Sequence, residues 1–407
     1  MTSHPSIKFE VIGDPASFQT LEPEWRALHA KLGPGHLFKS FDWLWPAWRW
    51  IGARRGHKLR LVTGRVDGEL VFILPLVLDS GTIKFLSSEK IEYRGAIVAD
   101  ASHAGAWTEA AWRLARRLEG ANSMLLRDVR AGSPLARLLD RLRSVGLRVD
   151  RTSWWVRLDR FEDWDAYAAR LPKHMLRDQR RQWSRLNALP GGYRYEEVRD
   201  PGDLREAIRW LIDCKVSWAA SRGRPVELMD SSVYRSFVED VALGALRRDA
   251  LLFVRLVSGS STIAAGMGYL DGDSFIFHIF GYDPAWNTYS PGRLLLERIL
   301  RWCFERGVKS FDLLPGDEPY KAIWATERPV VTDYLIPLTL LGRAAMLWHL
   351  SGLSRVARNG LVRGFARRMP AALRRSIGRF VYKHDEYAGQ LTDIAKPAKR
   401  PPPSGAD

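Results

Sequence analysis

Ser274-Phe275-Ile276-Phe277-His278-Ile279-Phe280-Gly281-Tyr282 leads through Asp283-Pro284-Ala285-Trp286-Asn287-Thr288-Tyr289 into Ser290-Pro291-Gly292-Arg293-Leu294-Leu295-Leu296. Residues 274–280 have the aromatic and β-branched content of a strand, whereas Pro291 followed by an apolar run opens a helix. Upstream, Leu251 to Val257 and Thr262 to Leu270 are two more strand candidates. A Ser/Gly turn separates them, and Asp271-Gly272-Asp273 follows. Downstream, a helix from about Gly292 to Arg306 stops at Gly307, and a strand follows from Val308 to Leu314. Three antiparallel strands, a loop, a helix and a strand put a helix N-terminus directly after the last meander strand. Unpaired N–H groups and a partial positive charge let such an end hold a pyrophosphate.

Outward from this core, the helix candidates are Trp164 to Leu171, Lys173 to Leu186, Asp203 to Ser221 and Ser231 to Arg248. Pro190-Gly191-Gly192, and then Gly223 with Pro225, punctuate them. The first region reads as mixed α/β. Leu59 to Arg65 and Glu69 to Leu78 flank Val66-Asp67-Gly68, a hairpin signal. Trp107 to Glu119 and Ser133 to Val145 have helical character, and Ser123 to Asp128 that of a strand. No chemical constellation stands out there, so a supporting or substrate-shaping unit is expected.

A chain of 407 residues is long enough for two or three domains. Its 17 tryptophans suit a core, an interface or a membrane interface equally. Two cysteines, Cys214 and Cys303, exclude a disulfide framework and a four-cysteine metal site. No basic start followed by an apolar run is visible, and the longest apolar stretches fall short of the ~20 residues that span a bilayer. A cytoplasmic location is expected, with attachment to the inner face of the cytoplasmic membrane left open. Of the net charge of +16, residues 341–383 carry nine arginines and one lysine with no acid. The excess is local, which argues against a general nucleic-acid binder.

The segment 282–296, with Phe311-Asp312-Leu313-Leu314-Pro315-Gly316 and Tyr320-Lys321-Ala322-Ile323-Trp324, resembles the GNAT-like acetyltransferases associated with bacterial cellulose and exopolysaccharide biosynthesis. More distantly it is similar to Fem-type transferases, which carry paired GNAT-like domains. The resemblance implies an α+β fold of tandem GNAT-like mixed-sheet domains, the first degenerate, with a basic helical C-terminal extension. The expected division is 1–155 supporting, 156–340 catalytic, 341–390 basic and helical, and 391–407 a disordered tail. It implies acetyl-CoA or a longer acyl-CoA as co-substrate and no metal. Tyr289, Ser290, Pro291, Gly292, Arg293 and Leu294 stand where the family's pyrophosphate loop runs, with Gly292 alone clearly matching its pattern. Ser290 can cap the helix, Pro291 suits its first position, the Gly292 backbone can approach a phosphate, and Arg293 can add a charged contact. No Gly-x-Gly-x-x-Gly follows a strand, and a P-loop is absent.

Direct transfer to an amine or hydroxyl needs a base near neutrality and a donor for the oxyanion. His278 is the candidate base, or else a structural sheet histidine. Asp312 lies in the neighbouring strand and can orient His278, bind the acceptor or anchor its loop. The resemblance puts Tyr320 and Lys321 near the reacting groups, Tyr320 as proton donor to the thiolate and Lys321 as a cation for phosphate or developing charge; either can instead pin the loop. Lys215 and Trp218 fall on the acceptor side of the family pattern. Nucleophilic catalysis by Cys214 is a minor alternative.

In residues 341–383, arginines alternate with Trp348, Leu353, Phe365 and other apolar residues, which suits an anionic membrane surface or a helical extension packed on the core. The leading expectation is therefore an acyltransferase acting on an envelope lipid amine or a sugar acceptor, with a long-chain N-acyltransferase on a sphingoid-like base within reach. The alternatives are a Fem-like aminoacyl transferase, with Lys173, Arg177, Arg180, Arg181 and Arg185 contacting tRNA, and a non-catalytic binding protein.

Overall fold

The computed structural model describes residues 6–86, 92–142, 144–221, 226, 229–316 and 318–350, the side chains of 348–350 excepted. Among the described residues, fourteen strands build two mixed sheets. The first contains β1 (Lys8–Ile12), β2 (Lys58–Val66), β3 (Glu69–Asp79), β4 (Thr82–Phe85), β5 (Ile97–Val98), β6 (Ser123–Arg130) and β7 (Leu147–Thr152). The second contains β8 (Trp155–Arg157), β9 (Arg194–Glu197), β10 (Leu251–Ser258), β11 (Ser261–Asp271), β12 (Ser274–Tyr282) and β13 (Ser310–Asp312). The last strand, β14 (Val330–Pro337), returns to the first sheet. The strand orders are β1-β2-β3-β4-β6-β14-β7, with β5 on β3, and β8-β13-β12-β11-β10-β9.

Turn chemistry sets these registers as the sequence suggests. Asp67 and Gly68 both take positive φ, 49° and 86°, the signature of a two-residue hairpin whose twist matches its strands. The helices begin where their caps stand. Asp200 accepts from the N–H groups of Gly202 and Asp203 at 2.8 and 2.9 Å to start Pro201–Ala220, and Ser231 caps Ser232–Leu246.

The two sheets repeat one plan. In each, four antiparallel-linked strands precede a helix (Ala104–Ala115 or Pro291–Glu305), and the next strand pairs parallel with the fourth, β6 with β4 and β13 with β12. This is the α+β class with tandem mixed-sheet units expected from the sequence. The units are interleaved, however: the first crossing falls at the expected 155, whereas the chain returns to the first sheet at β14, before 340. The chain crosses between sheets at Ser153 and Trp154, and β14 crosses back to lie between β6 and β7. Tyr334, Leu335 and Ile336 are buried there, and both edges of β14 find hydrogen-bonding partners only in the first sheet.

Three N-terminal helices, Pro15–Thr20, Glu22–Ala30 and Phe41–Ala47, carry Phe18, Trp25 and Trp43 into a core shared with Pro201–Ala220 and Ser232–Leu246. The buried tryptophans of this region are thus inter-unit core. Asp271, at the β11–β12 turn, locks the contact by accepting from the N–H groups of Gly35, His36 and Leu37 at 2.7 to 3.0 Å. Of the expected helical extension, Leu340–Leu350 is a helix; residues 351–407, including most of the basic stretch, lie outside the described residues.

Candidate functional site

β12 and β13 share a register over only three pairs, from Ser274↔Ser310 to Ile276↔Asp312. Beyond them β12 continues to Tyr282, while the other chain bends away at Leu314, where φ is +63°, toward the short helix Pro319–Trp324. Parted strands leave one edge of β12 without a sheet partner and open a cavity of about 760 Å³. That volume falls within the roughly 300–1,000 Å³ typical of small-molecule sites. In the first unit the corresponding gap is closed, because Arg94 bridges in parallel to Val129 of β6 and its N–H bonds the Asp128 carbonyl at 3.1 Å.

The cavity brings together His278, Tyr320, Lys321, Ser290, Pro291, Gly292, Arg293, Lys215 and Trp218. Two other residues of the expected loop stand elsewhere. Leu294 is fully buried in the core, and the Tyr289 ring lies beneath the Arg185 guanidinium at 4.5 Å.

His278 owes its place to a β-bulge. Met267 pairs with Ile279 and Gly268 with Phe277, so His278 is the extra residue on β12, and the bulge re-aims it. Its ring lies 5.2 Å from Trp43, 6.3 Å from Phe38 and 5.6 Å from Tyr269. Two of these three rings belong to the first unit, which therefore walls the site.

Asp312 is buried behind the cavity and does not serve as the orienter of His278. Its Oδ1 accepts from Tyr93 Oη at 2.7 Å and from the Leu314 N–H at 2.8 Å, so it anchors the strand exit to the first unit. Burial raises its pKa from 3.8 to about 6. Between about pH 4 and 6 the folded chain therefore holds a proton that the unfolded chain has lost. Stability present in acid is lost as pH rises through this window, by on the order of 3 kcal/mol. Because both donors converge on Oδ1, Asp312→Asn keeps both contacts and removes the titration. Urea midpoints should fall less between pH 4 and 7 in this variant than in the parent, and parallel curves would refute the assignment.

Lys321 is buried with its ammonium on the carbonyls of Leu314 and Pro315, at 3.2 and 3.1 Å, and on Glu318 at 3.1 Å. Of the roles considered for it, this geometry is that of a loop pin. Tyr320 packs edge-on to Phe280 at 5.7 Å, and burial, with Glu318 nearby, pushes its phenol well above the ordinary value of 10. Proton transfer from it to a thiolate, whose thiol has a pKa near ~8.5, is uphill, so Tyr320 is suited to donating a hydrogen bond rather than a proton. Lys215 holds its ammonium over the Trp218 and Phe280 rings at 4.9 and 5.3 Å. Burial pushes the Cys214 thiol up to about 11, which disfavours a nucleophilic thiolate.

At the helix start the structure corrects the expected contacts. Ser290 occupies the N-cap position in the left-handed region, φ 53° and ψ 46°, and its side chain makes no capping bond. An N-cap side chain reaches the first-turn N–H groups from extended backbone, and this geometry turns it away. Gly292 serves packing, because a Cβ there would meet the Phe280 and Tyr282 rings at 3.2 Å. Arg293 is ion-paired with Asp178 of the helix Lys173–Asn187. That basic helix packs on the 284–289 turn, and its own start, which has no side-chain cap, also lines the cavity with Pro172, His174 and Met175.

Sequence reasoning missed Glu92. It reaches the cavity from the first unit, and burial, then the Asp128 carboxylate, raises its pKa to about 7 against the pull of Arg94, Arg151 and Arg127. No local pattern in Glu92-Tyr93-Arg94 announces this, since the site lies about two hundred residues further along the chain. Among the described residues, no three His, Cys, Asp or Glu side chains group as a metal site.

Residues 173–322 match the family model described as an acetyltransferase (GNAT) domain. No curated protein matches the sequence. Among solved structures, FemX is similar at a TM-score of 0.53 and 12% identity, over 79% of this chain and 98% of that one. The C-terminal domain of a protein named as a lysylphosphatidylglycerol synthetase, from Agrobacterium fabrum, is similar at 0.50 and 12%, over 84% and 97%. A tandem GNAT protein of the clavulanic acid biosynthesis pathway gives 0.48 and 14%, over 82% and 99%. The likeness to FemX and to the synthetase C-terminal domain bears on the fold alone; with the repeated sheet plan it makes this an α+β fold of two mixed-sheet units, the second of which contains the stretch that matches the GNAT model.

Proposed function

We propose that this chain is an acyl-CoA-dependent acyltransferase working by direct transfer to an amine or hydroxyl of an envelope lipid or polysaccharide precursor. The observation that carries the reading is the opening between β12 and β13, which ends at the uncapped start of Pro291–Glu305. An open strand edge suits the extended, amide-bearing pantetheine arm, and a bare helix N-terminus suits the pyrophosphate. Exposed Arg177, Arg180 and Arg181 on the neighbouring helix suit the remaining phosphate. Support for a lipid acceptor comes from the helix Leu340–Leu350, where Leu340, Leu341 and Leu347 are exposed at 83%, 51% and 61%. Among the described residues no helix is long and apolar enough to cross a membrane.

The test is calorimetric titration with acetyl-CoA and palmitoyl-CoA, followed by mass spectrometry of products from a lipid extract and a soluble sugar fraction. Arg293→Glu sets a second carboxylate beside Asp178 at the helix start and should weaken acyl-CoA binding by about tenfold or more. Asp178→Asn releases the Arg293 guanidinium and should tighten binding. Unchanged affinity in both variants would remove this helix start from the site. Salt-sensitive tRNA binding in place of acyl-CoA binding would favour the aminoacyl-transfer alternative.

A further inference from the structure

Only a few groups around the cavity can move a proton. Lys321 and Glu318 are tied to each other, Arg293 is held by Asp178, and Lys215 is a cation over two rings. The other ionisable groups that line the cavity are His278, His174, Tyr282, Cys214, Tyr320 and Glu92. Glu92 is unusual in coming from the first unit, at the point where that unit's own strands close and the chain is pushed toward the neighbouring cleft.

Its surroundings are built. On the inner side Arg94 and Arg151 pair with Asp128, Arg94 at 3.3 Å. Arg127 pairs with Asp333 at 3.3 Å. Arg151 stands 3.8 Å from Glu92 Oε2, which has no hydrogen-bond partner among the described residues. On the cavity side the ionisable groups include His278, His174, Lys215, Glu318 and Lys321. A carboxyl with a second carboxylate behind it and arginines around both keeps an affinity for protons near neutrality without losing its place.

We propose that Glu92 takes the proton from the acceptor's amine or hydroxyl and returns it to the departing thiolate, the first unit thereby completing the active site of the second. This rests on the acyltransferase reading above. The acceptor, as a neutral amine or an alcohol, gives its N–H or O–H proton to the Glu92 carboxylate as its lone pair bonds to the thioester carbonyl carbon. The C–S bond breaks, and its electron pair leaves on sulfur. Protonated Glu92 then transfers the proton to that thiolate, a downhill step because a thiol holds its proton more tightly than a carboxyl of this kind. The carboxylate is restored, and the products are the amide or ester and the free thiol.

The experiment compares wild type, Glu92→Gln, Glu92→Asp and His278→Gln as full chains. The acyl donors are acetyl-CoA and palmitoyl-CoA. The acceptors are dodecylamine, glucosamine, a total lipid extract and a soluble sugar fraction. Glu92→Gln should lower turnover by about a hundredfold or more while the palmitoyl-CoA Kd stays within about twofold. Glu92→Asp should recover part of the rate. The fall in wild-type kcat/KM on the acid side of neutrality should disappear in Glu92→Gln. Normal turnover in Glu92→Gln overturns the proposal. So does a slow variant that keeps the acid limb, which marks a structural role, or loss of that limb in His278→Gln alone, which makes His278 the base. Wild type that acylates none of these acceptors overturns the acyltransferase reading itself.

Discussion

Gly268→Ala should destabilise the protein by on the order of 3–5 kcal/mol and abolish the organised cleft, although it adds one methyl group. A Cβ at this position falls on the Ile276 carbonyl oxygen and the Phe275 ring, inside van der Waals contact. A ring tip can swing aside, but a backbone carbonyl within the β11–β12 ladder cannot retreat without breaking the pairing. The ladder is irregular at this point because Gly268 is the residue opposite the bulge. The same substitution two residues earlier is the internal control. At Gly266 the Cβ would meet only side chains, Leu295 at 3.1 Å and Phe277 and Phe280 at 3.3 Å, which can give by a few tenths of an ångström. Gly266→Ala should therefore cost about 1 kcal/mol. Urea unfolding of both variants reads the difference, and equal midpoints would mean that the bulge does not depend on a bare backbone at Gly268.

Trp43→Ala is the second large effect, expected at about 3–5 kcal/mol. The indole is 1% exposed and packs on Phe38 at 4.7 Å, Tyr269 at 5.3 Å and Phe237 at 5.9 Å, besides His278. Its removal empties a space between the first unit and the second, so both lose packing at once. Its Nε1 has no acceptor among the described residues, so its contribution is ring area rather than hydrogen bonding. Trp43→Phe should then retain most of the stability. If Phe proved as costly as Ala, polar contact at Nε1 would have to be the source. The alanine variant should also slow turnover by more than its folded fraction explains, since the wall beside His278 is gone.

Local signals carried much of the second unit. Period-two runs bounded by Gly259 and Gly272 delimit β10, β11 and β12, and Pro291 marks its helix to the residue. Backbone order of that kind is written within a dozen neighbouring residues. The conformation of Ser290 is not, because a left-handed serine is held by what packs around it. Nor are the partners of Arg293 and Lys321, which depend on Asp178 more than a hundred residues away and on the carbonyls of a bent strand exit. The place of β14 is not written locally either, since its neighbours β6 and β7 lie about two hundred residues earlier. The helices before residue 52 mix aromatic, proline and charged residues without a clean period, and their faces are set by the unit they cover.

The return of β14 also dictates a timetable for synthesis. When the ribosome has made residues 1–155, the first sheet has bare edges at β6 and β7, and the strand that joins them is not yet built. It arrives only after the entire second unit has been threaded out. The N-terminal unit must therefore wait, with unpaired β edges open to other chains, for almost two hundred further residues. Closing that sheet is a long-range event with a large loop-closure cost, so folding should be slow and all but simultaneous in the two units. Evolution could not easily exchange or discard either unit alone, because each is covalently laced through the other.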